Sequence, residues 1–328
     1  MSVPPAASTP PGNGDGPLAH PRLLTLRRWV LRIVPVVLLA AAAVVLWREF
    51  HDISPIEVTR AMRAWGHGAI LAALGLSTVS FILMGVVEWL GLRWVGARLP
   101  WGPALAGSFL ANAIAHSLGA NLLVSGAVRA RLYDRFGVSL RQVAATTLFH
   151  GFSFAVGISA LGGAGLLFSA REKIAATSIS VPVARGLGAL LLAGALGYVV
   201  LCALRRAPLR AFGRSLTLPS ARAAAAQLTL GVVDNATAAA IIWILLPPQA
   251  VAYTTFVGAY AIACVAGLAS SVPAGVGVFE GTMTTLLRGV PPASLAAAFL
   301  GYRLAYFVLP LIIASLALFG DTLRQARR

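Results

Sequence analysis

Of the 328 residues, 58% are apolar and only 11% are charged, whereas a soluble domain carries about a quarter charged residues. This composition excludes a soluble globular domain and predicts a polytopic membrane protein. The formal net charge of +16 would suit a nucleic-acid-binding protein, but the arginines lie in clusters between apolar runs. Loops that face an anionic membrane surface have this pattern, so no nucleic acid is expected as a partner.

The apolar segments predict the following elements in chain order. Residues 1–28, rich in Pro, Gly and Ala, predict a disordered cytoplasmic tail. Crossing a hydrocarbon layer of ~30 Å takes about 20 helical residues. Six segments meet this length, namely 29–47, 69–92, 142–168, 186–204, 221–246 and 294–319. Two further regions, 102–128 and 251–288, are apolar but interrupted, the first by Gly119 and Asn121 and the second by the motif PAGVG. A short basic tail, 320–328, follows.

The positive-inside rule distinguishes two topologies for the interrupted regions. If both are re-entrant hairpins, the N-terminal tail, the cluster 129–141 and the loop 205–222 all face the cytoplasm with most of the 26 lysines and arginines. Treating only the first region as a full span would place the cluster outside, so the charge bias favours two hairpins. Each half, 29–168 and 186–319, then contains span, span, hairpin and span. The halves have opposite orientations, as in the inverted repeats of many transporters, and both termini are expected in the cytoplasm of a cell-membrane protein.

Four charged residues lie within apolar segments, namely Glu88, Asp234, Glu280 and Arg303. A charge at the bilayer centre costs from about 3 to over 10 kcal/mol, so each should face the protein interior or water. Such residues are candidate functional residues by default. Two alternatives remain for them: Glu88 could pair with Arg93 at the interface, and Asp234 could be protonated or hydrogen-bond a neighbouring helix.

The motif SVPAGVGVFE predicts a helix that stops inside the membrane and starts again. The first turn after the break has unpaired N–H groups, and the helix dipole favours an anion such as Glu280 there. Arg303 is a natural partner for Glu280, or a fork for a phosphate. Tyr302 and Tyr306 are four residues apart, share one helix face and flank Arg303. These residues together predict a polar pocket.

His116 and His150 are each alone on their apolar segments, without a second ligand at helical spacing. They are interpreted as satisfied buried histidines rather than metal ligands. Cys202 and Cys264 form no CxxC pair, so neither zinc nor a disulfide framework is predicted. No phosphate-cradling or dinucleotide motif is present in a suitable context, and no cofactor is expected.

Two blocks of sequence resemble a known family. Residues 81–141 contain FILMGVVEWLGLRWVG and AHSLGANLLVSGAVRARLYDRFGVSLRQ, and residues 271–310 contain SVPAGVGVFE and GYRLAYFVLP. Their order and spacing are similar to those of the membrane domain of the multiple peptide resistance factor, the lysylphosphatidylglycerol synthase transmembrane family, over residues 69–319. The usual paired glycine is here Ala274-Gly275, so Gly275 and Gly277 are expected to take the unusual backbone angles.

The resemblance implies an all-α flippase-like module that moves a phospholipid, aminoacylated in the full-length relatives, between leaflets. In those relatives a separate soluble domain makes the lysyl lipid from a charged transfer RNA. This chain ends nine residues after the last predicted span, so no lysyltransferase activity is expected, and a separate lipid synthase would be a partner. The predicted substrate-binding residues are Glu88, Arg129, Arg131, Asp234, Glu280, Tyr302, Arg303 and Tyr306, and the predicted helix break uses Pro273, Gly275 and Gly277.

Two other functions remain open. A membrane-embedded transferase acting on a lipid-linked substrate would need a catalytic base, for which Glu88, His116 and His150 are the candidates. A scaffold would recruit a separate lipid-modifying enzyme through the arginine-rich loops.

In a lipid translocator, the head group, anionic or zwitterionic, would meet Glu280 and Arg303 inside the membrane, and Arg129 and Arg131 at the cytoplasmic mouth of the first hairpin.

Overall fold

The computed structural model describes residues 54–118, 121–169, 180–205, 209–211, 214–216, 218–270, 275 and 277–326. The first predicted span, 29–47, and the predicted tail, 1–28, lie outside them. The helices within this part of the chain are α1 (Pro55–Arg63), α2 (His67–Trp94), α3 (Trp101–Leu118), α4 (Asn121–Tyr133), α5 (Leu140–Phe168), α6 (Val181–Leu204), α7 (Ala221–Trp243), α8 (Tyr253–Ala269), α9 (Val278–Leu286), α10 (Pro292–Arg303) and α11 (Leu309–Ala326). A π-helical turn, Leu304–Val308, joins α10 to α11.

Five stretches of the described chain are long and apolar enough to cross a membrane: α2, α5, α6, α7 and the continuous segment Pro292–Gly320. They lie close to the predicted limits, and the prediction of an all-α polytopic membrane protein is confirmed. The last helix continues to Ala326, through most of the predicted basic tail. A small antiparallel hairpin of β1 (Leu209–Ala211) and β2 (Arg214–Leu216) lies between α6 and α7. The sequence does not predict it, because three-residue strands are too short to show an alternating pattern.

Helices α3 and α4 form a hairpin whose two ends lie on the same side of the bundle. Leu92 at the end of α2, Ala104 at the start of α3, Tyr133 at the end of α4 and Val143 at the start of α5 belong to one buried apolar cluster. The Gln142 side chain donates to the Val95 carbonyl across the same region, at 3.1 Å. The start of α3 and the end of α4 therefore lie close together, next to the end of α2 and the start of α5.

Helices α8 and α9 form the second hairpin, which lies between the end of α7 and the start of α10. The Trp65 indole donates to the Leu245 carbonyl, just after α7, at 2.9 Å. The same ring lies against Gly301 in α10, and Val58 of α1 packs on Ala296, near the start of α10. The end of α7 and the start of α10 therefore both lie close to α1 and the turn that follows it.

Helix α5 packs at the centre of the bundle through glycines. Gly157 contacts Gly231 of α7 backbone to backbone, and a Cβ at either position would overlap the other helix. Gly163 meets Gly188 of α6 in the same way, with only 2.8 Å between a built Cβ and the facing carbonyl oxygen. Because small residues let helix backbones approach closely, these contacts hold α5, α6 and α7 together. They also set the position of the polar residues on α5.

Candidate functional site

A cavity of about 750 Å³ lies between α2, α3, α4, α5, α7 and α8. Most of its wall is apolar, and its polar side chains include Asn112, His116, Ser125, Arg129, His150 and Asp234. Its lining also includes well-exposed apolar side chains, namely Leu122, Leu148, Phe152, Val265 and Leu268. The cavity is thus polar on one part of its wall and continuous with the apolar outer surface of the bundle.

The most buried charges at this cavity form an ion pair between α2 and α4. Arg129 is 1% exposed and Glu88 is 0% exposed. The Nε atom of Arg129 donates to both Glu88 oxygens, at 2.8 and 2.9 Å, and Nη2 lies 2.8 Å from Oε2. The Tyr133 hydroxyl donates to Oε1 at 3.1 Å. Charge-assisted, multidentate bonds of this kind are the strong ones, and they offset the cost of burying both ions.

The alternative that pairs Glu88 with Arg93 is wrong. Arg93 instead lies over the ring of Trp89, 4.4 Å from its centre, near the end of α2. Glu88 faces the opposite way, toward the first hairpin, because it lies on the buried face of α2 with Met84 and Leu92. The nearer arginine in sequence is therefore not the partner.

Two histidines stand beside this ion pair. The Nδ1 atom of His150 lies 3.5 Å from Glu88 Oε2 but makes no hydrogen bond. The His116 ring stacks on Tyr306, with 5.6 Å between ring centres, and its Nδ1 is also buried without a partner. The interpretation of these residues as satisfied histidines is therefore wrong within the described residues. No group of three or more His, Cys, Asp and Glu side chains suited to a metal ion is found in that part of the chain.

Asp234 lines the cavity from the middle of α7. Ser80 of α2 donates to its Oδ1 atom, and the Ser80 oxygen also shares a hydrogen bond of 2.8 Å with the Tyr306 hydroxyl. Among the described residues no cation pairs with Asp234, in contrast to Glu88. The alternative of a hydrogen bond to a neighbouring helix is confirmed, and a carboxyl group without a positive partner remains beside the cavity.

The second buried ion pair is built on the break between α8 and α9. Gly275 and Gly277 have φ angles of 63° and 78°, which confirms the prediction that glycines provide the unusual backbone here. Glu280, in the first turn of α9, accepts from the Gly277 amide at 3.0 Å through Oε2. Its Oε1 accepts from Arg303 at 2.6 and 3.2 Å. Pro273 lies outside the described residues.

A π-helical turn positions the aromatic residues next to Arg303. Pro310 has no N–H to offer the preceding turn, and the π-helix falls just before it. Tyr302 and Tyr306 stack with 5.2 Å between ring centres, which agrees with their predicted common face. Ser77 of α2 donates to the Ala305 carbonyl at 2.9 Å. Irregular turns of this kind are frequent at functional sites.

The structure separates the predicted substrate-binding residues into two groups. Arg129 and Asp234 line the cavity, and Glu88 holds Arg129 from behind. Glu280, Tyr302 and Arg303 lie in a second, densely packed group that does not line this cavity; Tyr306 connects the groups through Ser80 and His116. The Arg131 side chain is exposed on α4.

The sequence did not indicate the polar cavity residues Asn112 and Ser125, nor Ser80 and Tyr133, which bond Asp234 and Glu88 next to the cavity. Asn112 lies 3.5 Å from Arg129 Nη2 through its side-chain oxygen, and its amide donates to Ser108 at 3.1 Å. Small polar residues are common in membrane helices, so their presence alone carries little information. A usable signal would have been that Ser108, Asn112 and His116 are spaced by four and share one face of α3.

This fold and site define an α-helical membrane protein with buried charges around a cavity that meets its apolar surface. The chain belongs to the lysylphosphatidylglycerol synthase TM region family, which it matches over residues 32–314. It is 30% identical over 314 residues to the inner membrane protein YbhN of Escherichia coli, which covers 90% of this chain and 92% of that protein.

Two further relatives differ in how much of their length is shared. The chain is 31% identical over 263 residues to the uncharacterized protein slr0712 of Synechocystis, covering 79% of this chain and 81% of that protein. It is 39% identical over 80 residues to a phosphatidylglycerol lysyltransferase of Staphylococcus haemolyticus, covering 23% of this chain and 10% of that enzyme. The similarity to the lysyltransferase is therefore confined to a short part of it.

Proposed function

We propose that this protein moves the head group of a phospholipid between membrane leaflets while the acyl chains stay in the bilayer. The observation that carries the proposal is the cavity, whose wall combines the guanidinium of Arg129 and the carboxyl group of Asp234 with an exposed apolar rim. A head group can enter such a cavity from the side without drawing its acyl chains out of the hydrocarbon.

The physical task of such a protein is to replace the water around a polar head group. Transferring an ionised group into hydrocarbon costs many kcal/mol, unless polar partners take the place of its hydration shell. The polar residues of the cavity are spread in depth: Arg129 bonds Glu88 and Asp234 bonds Ser80, and these two positions on α2 are about 12 Å apart along the helix axis. The polar wall thus supports the head group over a large part of the ~30 Å hydrocarbon layer.

We further propose that α3–α4 and α8–α9 are re-entrant hairpins of an inverted repeat. The contacts of Tyr133 with the start of α3, of Trp65 with the end of α7, and of Val58 with the start of α10 support hairpins that open to opposite sides. The inner ends of α3, α4, α8 and α9 would then meet near the bilayer midplane, as in transporters of this plan. Both termini would be cytoplasmic in a cell-membrane protein.

This topology predicts that Gln249 and Ser215 lie on opposite sides of the membrane. Gln249 is in the loop that follows α7, and Ser215 is in β2, before α7. Single cysteines at the two positions, in a chain otherwise free of cysteine, should react with an impermeant maleimide from opposite sides in oriented vesicles. Labelling of both from the same side would rule out the inverted repeat.

The lipid that is moved carries a head group of anionic or zwitterionic type. The name of the lysyltransferase relative supports phosphatidylglycerol or its aminoacylated form as one candidate, with a separate synthase as a partner. The family match concerns the transmembrane region, so we propose transport rather than lysyl transfer for these helices.

Transfer between leaflets is measured directly in vesicles. Purified protein is reconstituted with a trace phospholipid that has a fluorophore on its head group, and an impermeant reductant is then added. In protein-free vesicles only the outer-leaflet label should be lost, whereas vesicles with the protein should lose the label of both leaflets. Protection of the inner-leaflet label in intact, protein-containing vesicles would contradict the proposal.

A membrane-embedded transferase is a second candidate, favoured by the approach of His150 to Glu88 at 3.5 Å beside the cavity. A carboxylate next to an imidazole is a common arrangement for a general base. Both Glu88 oxygens are already held by Arg129, however, which leaves Glu88 little capacity to take up a proton. Incubation of the same vesicles with phosphatidylglycerol and charged transfer RNA should yield no aminoacyl lipid; formation of that product would favour the transferase.

A further inference from the structure

We infer that the Arg129 end of the cavity is a binding site for a phosphate ester, held by the guanidinium of Arg129 and the imidazoles of His116 and His150. This inference rests on the proposed function, because it names the part of the lipid head group that the cavity recognises. It gives a role to two histidines that make no hydrogen bond within the described residues, although Nδ1 of His150 lies 3.5 Å from Glu88.

Hydrogen-bonding nitrogens at the Arg129 end of the cavity lack protein partners. Arg129 uses Nε and Nη2 on Glu88 and Asn112, and its Nη1 atom has no hydrogen-bond partner among the described residues. His116 and His150 likewise make no hydrogen bond there, and the Nδ1 atom of each is fully buried. A buried polar group without a partner costs free energy, so two such imidazole nitrogens beside an unused guanidinium nitrogen indicate a ligand that supplies acceptors.

The donor groups at this end are suited to a phosphate. A guanidinium presents its N–H groups in a fixed planar fork that suits phosphate oxygens, and Glu88 keeps the plane of that fork fixed. A phosphodiester has two free oxygens with a shared negative charge, and the three side chains offer donors to both. A sugar hydroxyl or glycerol would meet the same donors without bringing a charge to strengthen the bonds.

The charges around this end of the cavity leave room for one added anion. The groups that face this end are Glu88 on α2, His116 on α3, Arg129 on α4 and His150 on α5. Glu88 and Arg129 cancel each other, so an incoming phosphodiester adds one negative charge. A proton on either imidazole compensates it. Asp234 on α7 contacts Ser80 of α2, which is about 12 Å from Glu88 along the helix axis. The carboxyl group of Asp234 disfavours an anion at its own end of the cavity. The phosphate is therefore placed at the Arg129 end.

The apolar rim indicates that this phosphate belongs to a lipid and not to a free ion. Leu148, Phe152 and Leu268 are exposed apolar residues that line the same cavity. They lie where acyl chains would leave the cavity, whereas inorganic phosphate would gain nothing from them. The cavity volume of about 750 Å³ also far exceeds what one phosphate ion needs.

The test is an equilibrium binding measurement on the purified full chain, with bound ligand counted by native mass spectrometry. The probes are dioleoylphosphatidylglycerol, dioleoylglycerol with the same chains but no phosphate, and inorganic phosphate. The variants are Arg129→Lys, which keeps the charge next to Glu88 but loses the fork, and His116→Phe with His150→Gln. His116→Phe retains a ring that can stack on Tyr306. The matched control is His67→Gln, which changes an exposed histidine at the start of α2.

The wild-type protein and the His67→Gln control should bind phosphatidylglycerol about tenfold more tightly than dioleoylglycerol or inorganic phosphate. Each variant at the site should lose about tenfold in phosphatidylglycerol affinity, because each removes hydrogen bonds to a charged group. Equal binding of both lipids, or unchanged affinity in all variants, would overturn the inference. Inorganic phosphate that binds as tightly as the phospholipid would overturn the assignment to a lipid.

These outcomes are separable from those of the leaflet assay. Phosphate-dependent binding without transfer between leaflets would contradict the proposed function and leave the phosphate site in place. Normal transfer of phospholipid between leaflets, together with equal binding of phosphatidylglycerol and dioleoylglycerol, would contradict the phosphate site and leave the proposed function in place.

Discussion

Replacing Arg129 by methionine is expected to lower the free energy of unfolding by about 3–5 kcal/mol. The substitution leaves the fully buried carboxylate of Glu88 with the Tyr133 hydroxyl, at 3.1 Å, and the His150 imidazole, at 3.5 Å, as its remaining polar contacts. An uncompensated charge in a medium of low dielectric must either remain at high cost or take up a proton. The measurement is the unfolding transition of the purified protein in detergent, compared with that of the wild type.

Arg131→Met is the matched control for this experiment, because it changes an exposed arginine on the same helix two residues away. Its effect should stay within about 0.5 kcal/mol, as is usual for surface positions. The double substitution Glu88→Gln with Arg129→Met removes both charges and should recover most of the lost stability. It should not recover phospholipid binding, since the fork is gone. A stable Arg129→Met single variant would show that the pair contributes little to the fold.

Glu280→Gln and Arg303→Lys should both insert into the membrane and should both lose most of the transfer between leaflets. The carboxylate of Glu280 receives the Gly277 amide and the Arg303 guanidinium at the same time. A neutral amide has only one acceptor oxygen, so Gln can satisfy one of these donors and presents an N–H₂ group to the other. Lys cannot reproduce the two-nitrogen contact of Arg303. The start of α9 then loses its fixed orientation.

The double variant Glu280→Gln with Arg303→Met distinguishes a structural pair from a transporting one. Breaking one partner of a buried pair costs about 3–5 kcal/mol, whereas replacing both is often neutral. If the pair is structural only, the double variant should restore expression and transfer together. If it also acts in transfer, expression should return without transfer. Full transfer in both single variants would remove the pair from the mechanism altogether.

The sequence predicted the local features of the second ion pair well. Proline and glycines inside an apolar segment force a helix break, and a carboxylate three residues after the break has few other roles than to cap the new helix. Arg303, which lies within the following apolar span, is then a natural partner for the negative charge of Glu280. Because this reasoning depends on backbone chemistry within a short segment, no knowledge of the packing is needed.

The cavity could not be predicted in the same way, because its polar residues come from five helices. Glu88 and Arg129 are 41 residues apart, and their contact depends on how the first hairpin packs against α2. The close approach of Gly157 to Gly231 fixes how α5 and α7 face each other, and with it the places of His150 and Asp234. Hydropathy identifies such helices but not their rotation about their own axes.

If lipid head groups cross through this cavity, a bulky residue in its wall should block their transfer. Ala145 on α5 lines the cavity, whereas its neighbour Ala144 is exposed and does not line it. Leaflet transfer of the head-group-labelled phospholipid is measured for Ala145→Trp and Ala144→Trp at equal amounts of reconstituted protein. Obstruction of the cavity should abolish transfer in Ala145→Trp, while Ala144→Trp should transfer like the wild type. Equal transfer by the two variants would show that the lipid takes another route.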